Sequence, residues 1–302
     1  VLHCGTEEQK KELLPLFCAE SYIHGSAALM EPRFDFDPNV LKTTAIKKNG
    51  KYIVSGTKCN VPFAAESDWI LVYASFEGQC QAFLLPKGTP GLTVKEREKN
   101  MGMRAFPMYA VELQECEASA SQRLGGDAGC DYQLLLNSSR TALSAMAVGV
   151  ARAAYEFALD YAKNRPQGRP MGASGKDAAQ PQVRIIEHAD VRRMLLAQKS
   201  YGEGALALNL FCARLVDEQH TGQPDAADEA RLLLEVLTPI AKSWPSEFCL
   251  EANSLAIQIH GGYGYTRDFP VEQYWRDNRL NMIHEGTHGI QAADLLGRKV
   301  LM

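Results

Sequence analysis

Residues 284–288 read His-Glu-Gly-Thr-His, a spacing that could hold a metal ion. In the HExxH pattern two histidines one helical turn apart bind zinc, and the glutamate between them acts as a base. Two features argue against zinc here. Gly286 is a poor residue for a helix interior, and the positions of the longer ligand set hold Gln291 and Asp294. We predict no metal site and keep a zinc hydrolase only as an alternative.

Residues 261–265 read Gly-Gly-Tyr-Gly-Tyr and invite a dinucleotide-binding interpretation. No predicted strand precedes them and no third glycine completes the fingerprint, so a Rossmann turn is not predicted. Gly261 and Gly262 follow a helical stripe that ends at Ile259, where left-handed caps are expected. A glycine pair also leaves backbone that a flat ligand can approach. Both roles stay open at this point.

Two groups of arginines could bind anions. Arg276 and Arg279 share a short predicted helix with Asp277, which is most simply a solvated or ion-paired face. Arg140 and Arg165 lie on or at the end of one long predicted helix. Arg140 precedes an apolar run, which is an uncomfortable place for a charge that only faces solvent.

The composition excludes several classes of protein. The 302 residues are 46% hydrophobic and 23% charged, which excludes a disordered or fibrous chain. The longest uncharged apolar run covers only residues 141–151, too short to span a bilayer. A net charge of -4 excludes a basic nucleic-acid footprint. Eight scattered cysteines without a CxxC pair indicate free thiols in a reducing compartment.

The elements that must position these residues change character along the chain. Thr6 is a candidate N-cap for a helix within residues 1–25. The pair Asn49 and Gly50 lies between two β-prone runs, which is a strong hairpin signal. Further β-prone runs, separated by Pro and Gly, predict a compact antiparallel β domain. From about residue 128 onward, apolar residues recur at helical spacing, which predicts a bundle of long antiparallel helices. Pro239 and Pro245 are expected to kink or split one of these helices.

Five segments taken together resemble the C-terminal signature of the acyl-CoA dehydrogenase family. They are residues 258–265 (QIHGGYGY), 269–272 (FPVE), 276–277 (RD), 285–287 (EGT) and 290–291 (IQ). Upstream segments resemble the family's first-domain helix, its β domain and its first bundle helix: residues 5–10, 31–32, 56–58, 65–69 and 140–165. Residues 167–169, 188–195 and 294–299 resemble the methylthiopropanoyl-CoA dehydrogenase branch.

The resemblance implies an α+β multidomain fold. Residues 1–25 would end an N-terminal helical domain that is mostly missing from this chain. Residues 26–122 would form an antiparallel, β-barrel-like middle domain, and residues 123–302 a C-terminal up-down four-helix bundle, with FAD between these two domains.

The resemblance also implies a reaction, the oxidation of an acyl-CoA thioester to trans-2-enoyl-CoA with FAD as hydride acceptor. The family's base matches Glu285. Some branches place the base immediately before the residue that matches Arg140, but that position holds Ser139, which cannot serve. Arg140 falls near bound substrate in the family, and Gly286 is a further substrate-binding candidate.

Flavin-contacting positions of the family match four residues of the helical half, the first three of which reach the FAD of a neighbouring subunit. These are Arg165, Gln258, Gly262 and Thr287. The residues that flank the flavin ring in the family, Trp-x-Thr, are matched by Asn60-Val61-Pro62. Other departures from the family's flavin contacts are Met30, Asp35 and Phe36.

Several expectations about partners follow from the resemblance. We expect an acyl-CoA substrate, an electron-transfer flavoprotein as electron acceptor, and a homodimer or homotetramer. The bacterial cytoplasm or the mitochondrial matrix is the expected compartment, with no secretion. The departures from the flavin pattern leave a catalytically silent flavoprotein or binding subunit of the same fold as an alternative.

Overall fold

The structure, a computed structural model, describes residues 1–130, 132, 143–170 and 172–301. The chain divides into two compact units, residues 1–135 and 136–302. Ser139 and Arg140, which the sequence analysis singled out, lie outside the described residues. The domain boundaries expected after residues 25 and 122 stay predictions.

The first unit begins with helix α1 (Glu7–Leu13), which is capped as predicted. The Thr6 hydroxyl accepts a hydrogen bond from the Gln9 backbone N–H at 3.2 Å, and the Gln9 side chain accepts one from the Thr6 N–H at 3.0 Å. This reciprocal capping satisfies two of the backbone donors that every helix start leaves free.

Seven strands form one sheet in the first unit. They are β1 (Gly25–Ala28), β2 (Thr44–Lys48), β3 (Lys51–Pro62), β4 (Trp69–Phe76), β5 (Gln79–Pro86), β6 (Leu92–Arg97) and β7 (Met108–Ala118). The spatial order is β1-β4-β2-β3-β7-β6, with β5 on β4. The predicted hairpin is confirmed, since Asn49 and Gly50 connect β2 to β3 with φ values of +52° and +77°.

The sheet is not antiparallel throughout, which corrects the predicted topology in detail. Strand β1 pairs with β4 in parallel, and so does the start of β2, whereas the remaining pairings are antiparallel. Hairpin signals in a sequence identify only neighbours in the chain. The parallel pairs join strands that are distant in sequence, so no local pattern indicates them.

A buried ion pair fixes the segment that follows β1. Lys58 on β3 is fully buried and donates to the carboxylate of Glu31 at 3.2 Å. That carboxylate also accepts hydrogen bonds from the backbone N–H groups of Lys42 and Thr43. Burial alone raises the pKa of Glu31, but these N–H groups and the Lys58 ammonium outweigh it and lower the pKa to about 2.

The second unit is helical. It contains α2 (Leu143–Asn164), α3 (Ala189–Thr221), α4 (Pro224–His260), α5 (Val271–Asn278) and α6 (His288–Asp294). Only two residues separate α3 from α4, so these helices run antiparallel. Small side chains such as Ala154 and Ala158 on α2 and Ala256 on α4 are fully buried, which allows the helices to pack closely. The predicted fold class, a β domain followed by a helical domain, is confirmed.

Helix α4 continues through both internal prolines, so of the two predicted outcomes the split is wrong, and a kink at Pro239 or Pro245 stays a prediction. Each proline removes one backbone donor from the helix. Both rings are buried, and residues beyond them, from Cys249 to Ile259, pack into the core formed with α2. Tertiary packing therefore outweighs two missing hydrogen bonds.

Membrane insertion has no candidate among these helices. Within the described residues, none combines the length and the hydropathy needed to cross a bilayer.

Candidate functional site

The candidate base Glu285 lies in a left-handed turn between α5 and α6. Its φ is +52°, and Gly286 follows with φ +97°. A Cβ at residue 286 would stand 2.6 Å from the Gln291 side-chain nitrogen, so both the backbone and the space require glycine there. The Glu285 side chain is exposed. Thr287 caps α6 with extended backbone but makes no side-chain capping bond, which leaves its hydroxyl free for a ligand.

Two side chains hold the backbone of this turn. The Gln291 amide donates to the Glu285 carbonyl oxygen at 3.0 Å. The Lys242 ammonium donates to the Gly286 carbonyl oxygen at 2.5 Å. Lys242 comes from the middle of α4 and is buried. Burial lowers the pKa of Lys242, and the nearby Glu285 carboxylate partly opposes this.

The HExxH alternative fails on backbone geometry. Helix α6 begins only at His288, and the left-handed turn at Glu285 prevents His284 from sharing a helical turn with it. The His284 Nδ1 donates to the Leu280 carbonyl oxygen at 3.0 Å, while the His288 Nε2 lies 3.1 Å from the Ser246 hydroxyl. In the part of the chain that the structure describes, no three His, Cys, Asp or Glu side chains could hold a metal together.

A second candidate group forms where α2 ends. Arg165 directly follows α2, and its guanidinium lies over the Tyr263 ring, 6.0 Å from the centroid. Its Nε is buried and makes no hydrogen bond with any described residue. Since buried polar atoms nearly always have hydrogen-bond partners, this nitrogen indicates that a ligand supplies the acceptor. An open pocket beside it is lined by Phe157, Asp160, Tyr161, Asn164, Arg165 and Phe269.

The glycine pair after α4 faces the same group. A Cβ on Gly261 or Gly262 would meet no atom within 4 Å, so the backbone there is open to a ligand. Gln258, one turn before, is also exposed. His260 is buried and stacks on Tyr161 with ring centroids 4.3 Å apart, and burial lowers its pKa. A cationic donor, open backbone and aromatic faces suit an anionic, planar cofactor such as FAD.

The structure therefore sorts the helical-unit candidates into two groups. Glu285, Gly286 and Thr287 lie in one turn, against Lys242. Arg165, Gln258 and Gly262 lie near the end of α4. Lys242 and Gln258 are sixteen positions apart on one helix, which corresponds to about 24 Å. The two groups cannot contact the same small part of a ligand.

The candidates of the first unit lie at a bulge near the end of β3. Asn60 is exposed with φ +52°, and its backbone N–H donates to the Glu98 carboxylate at 3.0 Å. Pro62 is half-buried and its carbonyl accepts from the Ser26 hydroxyl at 2.5 Å. Exposed Met30 lies beside Asn60, with 3.9 Å between the amide nitrogen and the sulfur. This surface offers few free hydrogen-bonding groups. Arg140, the candidate for substrate binding, lies outside the described residues.

Sequence reasoning missed Lys242 altogether. The available signal was a lysine in a largely apolar stretch of the predicted helix, directly after Ala241 and two positions before Trp244. Such a position predicts either a solvent-facing side chain or a buried charge with a structural or functional role. The sequence analysis used Gln291 only as part of a motif. Its hydrogen bond to the Glu285 carbonyl oxygen is visible only in the structure.

Comparisons with known proteins give a consistent picture. Residues 26–116 match the family described as acyl-CoA dehydrogenase, middle domain, and residues 131–300 match acyl-CoA dehydrogenase, C-terminal domain. The 3-methylmercaptopropionyl-CoA dehydrogenase of Ruegeria pomeroyi is 36% identical, over 92% of this chain and 50% of the relative. The chain thus spans half the length of that relative.

Two further relatives cover more of their own length. An acyl-CoA dehydrogenase of Bacillus subtilis is 33% identical, over 96% of this chain and 72% of the relative. The structure of butyryl-CoA dehydrogenase from Megasphaera elsdenii is 27% identical, with a TM-score of 0.78 over 98% of this chain and 73% of that one.

Proposed function

The chain belongs to the acyl-CoA dehydrogenase family, and on that premise we propose that it oxidises an acyl-CoA thioester to the trans-2-enoyl-CoA. The observation that carries the proposal is the turn at Glu285, where an exposed carboxylate is held on a fixed backbone. A base that removes a carbon-bound proton must be positioned accurately, because proton transfer requires close contact with the reacting atom.

Glu285 is the base in this proposal. Its carboxylate takes the proton from the carbon next to the thioester carbonyl. The negative charge that then develops on the thioester oxygen needs a hydrogen-bond donor, and the backbone N–H of Glu285 is the proposed donor. Bound FAD supplies the acceptor for the β-hydride. Because the turn is fixed before substrate arrives, little reorganisation accompanies the proton transfer.

Arg165, Gln258 and Gly262 are the proposed contacts for the diphosphate and nucleotide part of FAD. The unpartnered Arg165 Nε and the open Gly262 backbone support this role. Thr287, Asn60 and Pro62 are the proposed contacts nearer the flavin ring. In the family, the residues that match Arg165, Gln258 and Gly262 reach the cofactor of a neighbouring subunit. We therefore also propose a homodimer or homotetramer.

The remaining partners are proposed on the same basis. Electrons would leave the reduced protein to an electron-transfer flavoprotein, in the bacterial cytoplasm or the mitochondrial matrix. The name of the Ruegeria pomeroyi relative makes 3-methylmercaptopropionyl-CoA the first substrate to test, followed by isobutyryl-CoA, the substrate in the name of a Bos taurus relative that is 30% identical.

A catalytically silent flavoprotein is the second candidate function. The observation that favours it is the surface around Asn60, where the side chain of exposed Met30 offers only a weakly accepting sulfur, 3.9 Å from the Asn60 amide nitrogen, at the position of a small polar residue in the family pattern. The Asp35 carboxylate nearby is ion-paired with Arg33 at 3.3 Å. These residues could support flavin binding without catalysis.

The test is anaerobic reduction of the purified flavoprotein by a panel of acyl-CoA thioesters. The proposed dehydrogenase loses its yellow colour with at least one of them. A protein that stays yellow with straight-chain, branched and thioether substrates is the silent flavoprotein instead. A protein that purifies without flavin and takes up none contradicts both candidates.

A further inference from the structure

Lys242 is a buried cation in an unusual setting. It lies in the interior of α4 and is only 5% exposed. An ammonium loses its hydration on burial, which is unfavourable unless a partner compensates. Its hydrogen bond goes to the neutral Gly286 carbonyl oxygen, and none of the ion pairs among the described residues includes it. An uncharged side chain of similar length would fill the same space, so the charge calls for a reason.

The reason lies in the backbone that Lys242 holds. The two carbonyl oxygens that follow the Glu285 Cα are each fixed by a side chain, one by Gln291 from α6 and the other by Lys242 from α4. Both residues of the turn have positive φ, a conformation that a non-glycine residue such as Glu285 rarely adopts without support. The two hydrogen bonds supply that support.

The charge of Lys242 also acts on the Glu285 carboxylate through space. The Glu285 carboxylate partly offsets the effect of burial on the pKa of Lys242, so the two groups interact. The other residues that line the narrow cleft beside the ammonium are Ser144, Ser246, Asn281 and His284. These four side chains carry hydroxyl, amide or imidazole groups and no carboxylate, so none of them competes with Glu285 for the Lys242 charge.

We propose that Lys242 is a positioning residue, which holds the Glu285–Gly286 turn through the Gly286 carbonyl and so keeps the Glu285 carboxylate directed at the substrate. This rests on the acyl-CoA oxidation proposed above. Lys242 does not touch the reacting atoms. Its effect passes through one backbone hydrogen bond, and a shift of about 1 Å at a reacting group can lower a rate by about 100-fold.

The test compares Lys242→Met with Lys199→Met, an exposed lysine of α3 that pairs with Glu203. We expect Lys242→Met to retain flavin, to bind acyl-CoA with KM within about threefold of wild type, and to bleach about 100-fold more slowly at saturating substrate. An α-deuterated substrate should give a larger isotope effect in this variant, because proton removal then limits the rate. Lys199→Met should match wild type.

A second measurement needs neither flavin nor substrate. Amide hydrogen exchange in a peptide covering residues 283–290 should be about tenfold faster in flavin-free Lys242→Met than in flavin-free Lys199→Met, because the turn has lost one of its two supports. If Lys242→Met does not fold, Lys242→Leu, which also lacks an N–H donor, takes its place with the same criteria.

The outcomes separate this inference from the proposed function. If wild type bleaches and the Lys242 variant matches the Lys199 variant in rate per bound flavin, the positioning role is wrong and the dehydrogenase stands. Unchanged exchange at residues 283–290 also overturns the role. If wild type never bleaches with any thioester, the proposed function fails and the positioning role fails with it.

Discussion

Among the residues that the structure describes, each compact unit buries one lysine, and the two lysines have opposite surroundings. Lys58 in the sheet is paired with the Glu31 carboxylate, which four backbone and side-chain donors of the first unit surround. Lys242 in the helical unit donates to a carbonyl oxygen of the Glu285 turn and forms no ion pair with any described residue, although the Glu285 carboxylate acts on its charge. A buried cation with its own carboxylate serves the fold. When a buried cation has no carboxylate paired with it, its charge and its hydrogen bond can act on a neighbouring site.

The largest expected effect is on the reaction rate, and it distinguishes the Glu285 carboxylate from the Glu31 carboxylate. Glu285→Gln keeps the shape of the side chain but removes the base, so anaerobic bleaching should slow by about 1,000-fold, equivalent to about 4 kcal/mol in the barrier. Flavin content and unfolding should stay as in wild type. Glu251→Gln, on the exposed surface of α4, is the matched control. A Glu285 variant that bleaches at the control rate would remove Glu285 from the mechanism.

The next effect tests the carboxylate of the other pair. Glu31→Gln leaves Lys58 buried without a countercharge, which should lower the free energy of unfolding by about 3 kcal/mol. Urea unfolding measures it, with exposed Glu12→Gln of α1 as control. The bleaching rate per bound flavin should change little. Equal stability of both variants would show that the buried pair does not serve the fold.

The pH dependence of stability sharpens the same point. The pKa of Glu31 is about 2 in the folded chain against 4.5 for a free side chain, so its contribution is complete above pH 4.5 and is lost as pH falls toward 2. About 2 kcal/mol of unfolding free energy should disappear between pH 6 and pH 3. Glu31→Gln should lack this part of the acid dependence. An identical pH profile in the two proteins would contradict the depressed pKa.

The smallest expected effect concerns a third cation. Among the described residues, no carboxylate or carbonyl accepts a hydrogen bond from the buried Nε of Arg165, which suggests that a ligand provides the acceptor. Arg165→Ala should raise the Kd for FAD about tenfold, or about 1.4 kcal/mol. Arg152→Ala, which removes an exposed arginine of α2 paired with Glu156, should leave the Kd unchanged. Equal flavin retention in both would argue against the role of Arg165.

Local patterns predicted much of this molecule. The Asn49-Gly50 turn and the Thr6 cap follow from side-chain chemistry within a few residues, and the structure has both. The Glu-Gly-Thr motif, as one of five linked segments of the family resemblance, made Glu285 the candidate base, and that role stays a prediction. Patterns of this range could not indicate the pairing of β1 with β4, which joins residues over 40 positions apart.

The setting of Glu285 was equally inaccessible to sequence reasoning. Its left-handed backbone depends on Gln291 and on Lys242, and the position of Lys242 depends on α4 passing unbroken through Pro239 and Pro245. Proline rules alone predicted an interruption there. Packing on both sides of the prolines decided the matter, and packing is a property of the folded chain.

The unbroken α4 has a consequence for how this chain can vary. This one continuous helix carries Lys242 at its middle and Gln258 near its end, so its length sets the distance between the two candidate groups. Inserting or deleting one residue between them would rotate one end by about 100° and displace it by about 1.5 Å. The loop at residues 175–182, which lies between α2 and α3, sets no distance between the two candidate groups. Length changes should therefore be tolerated in that loop and forbidden inside α4.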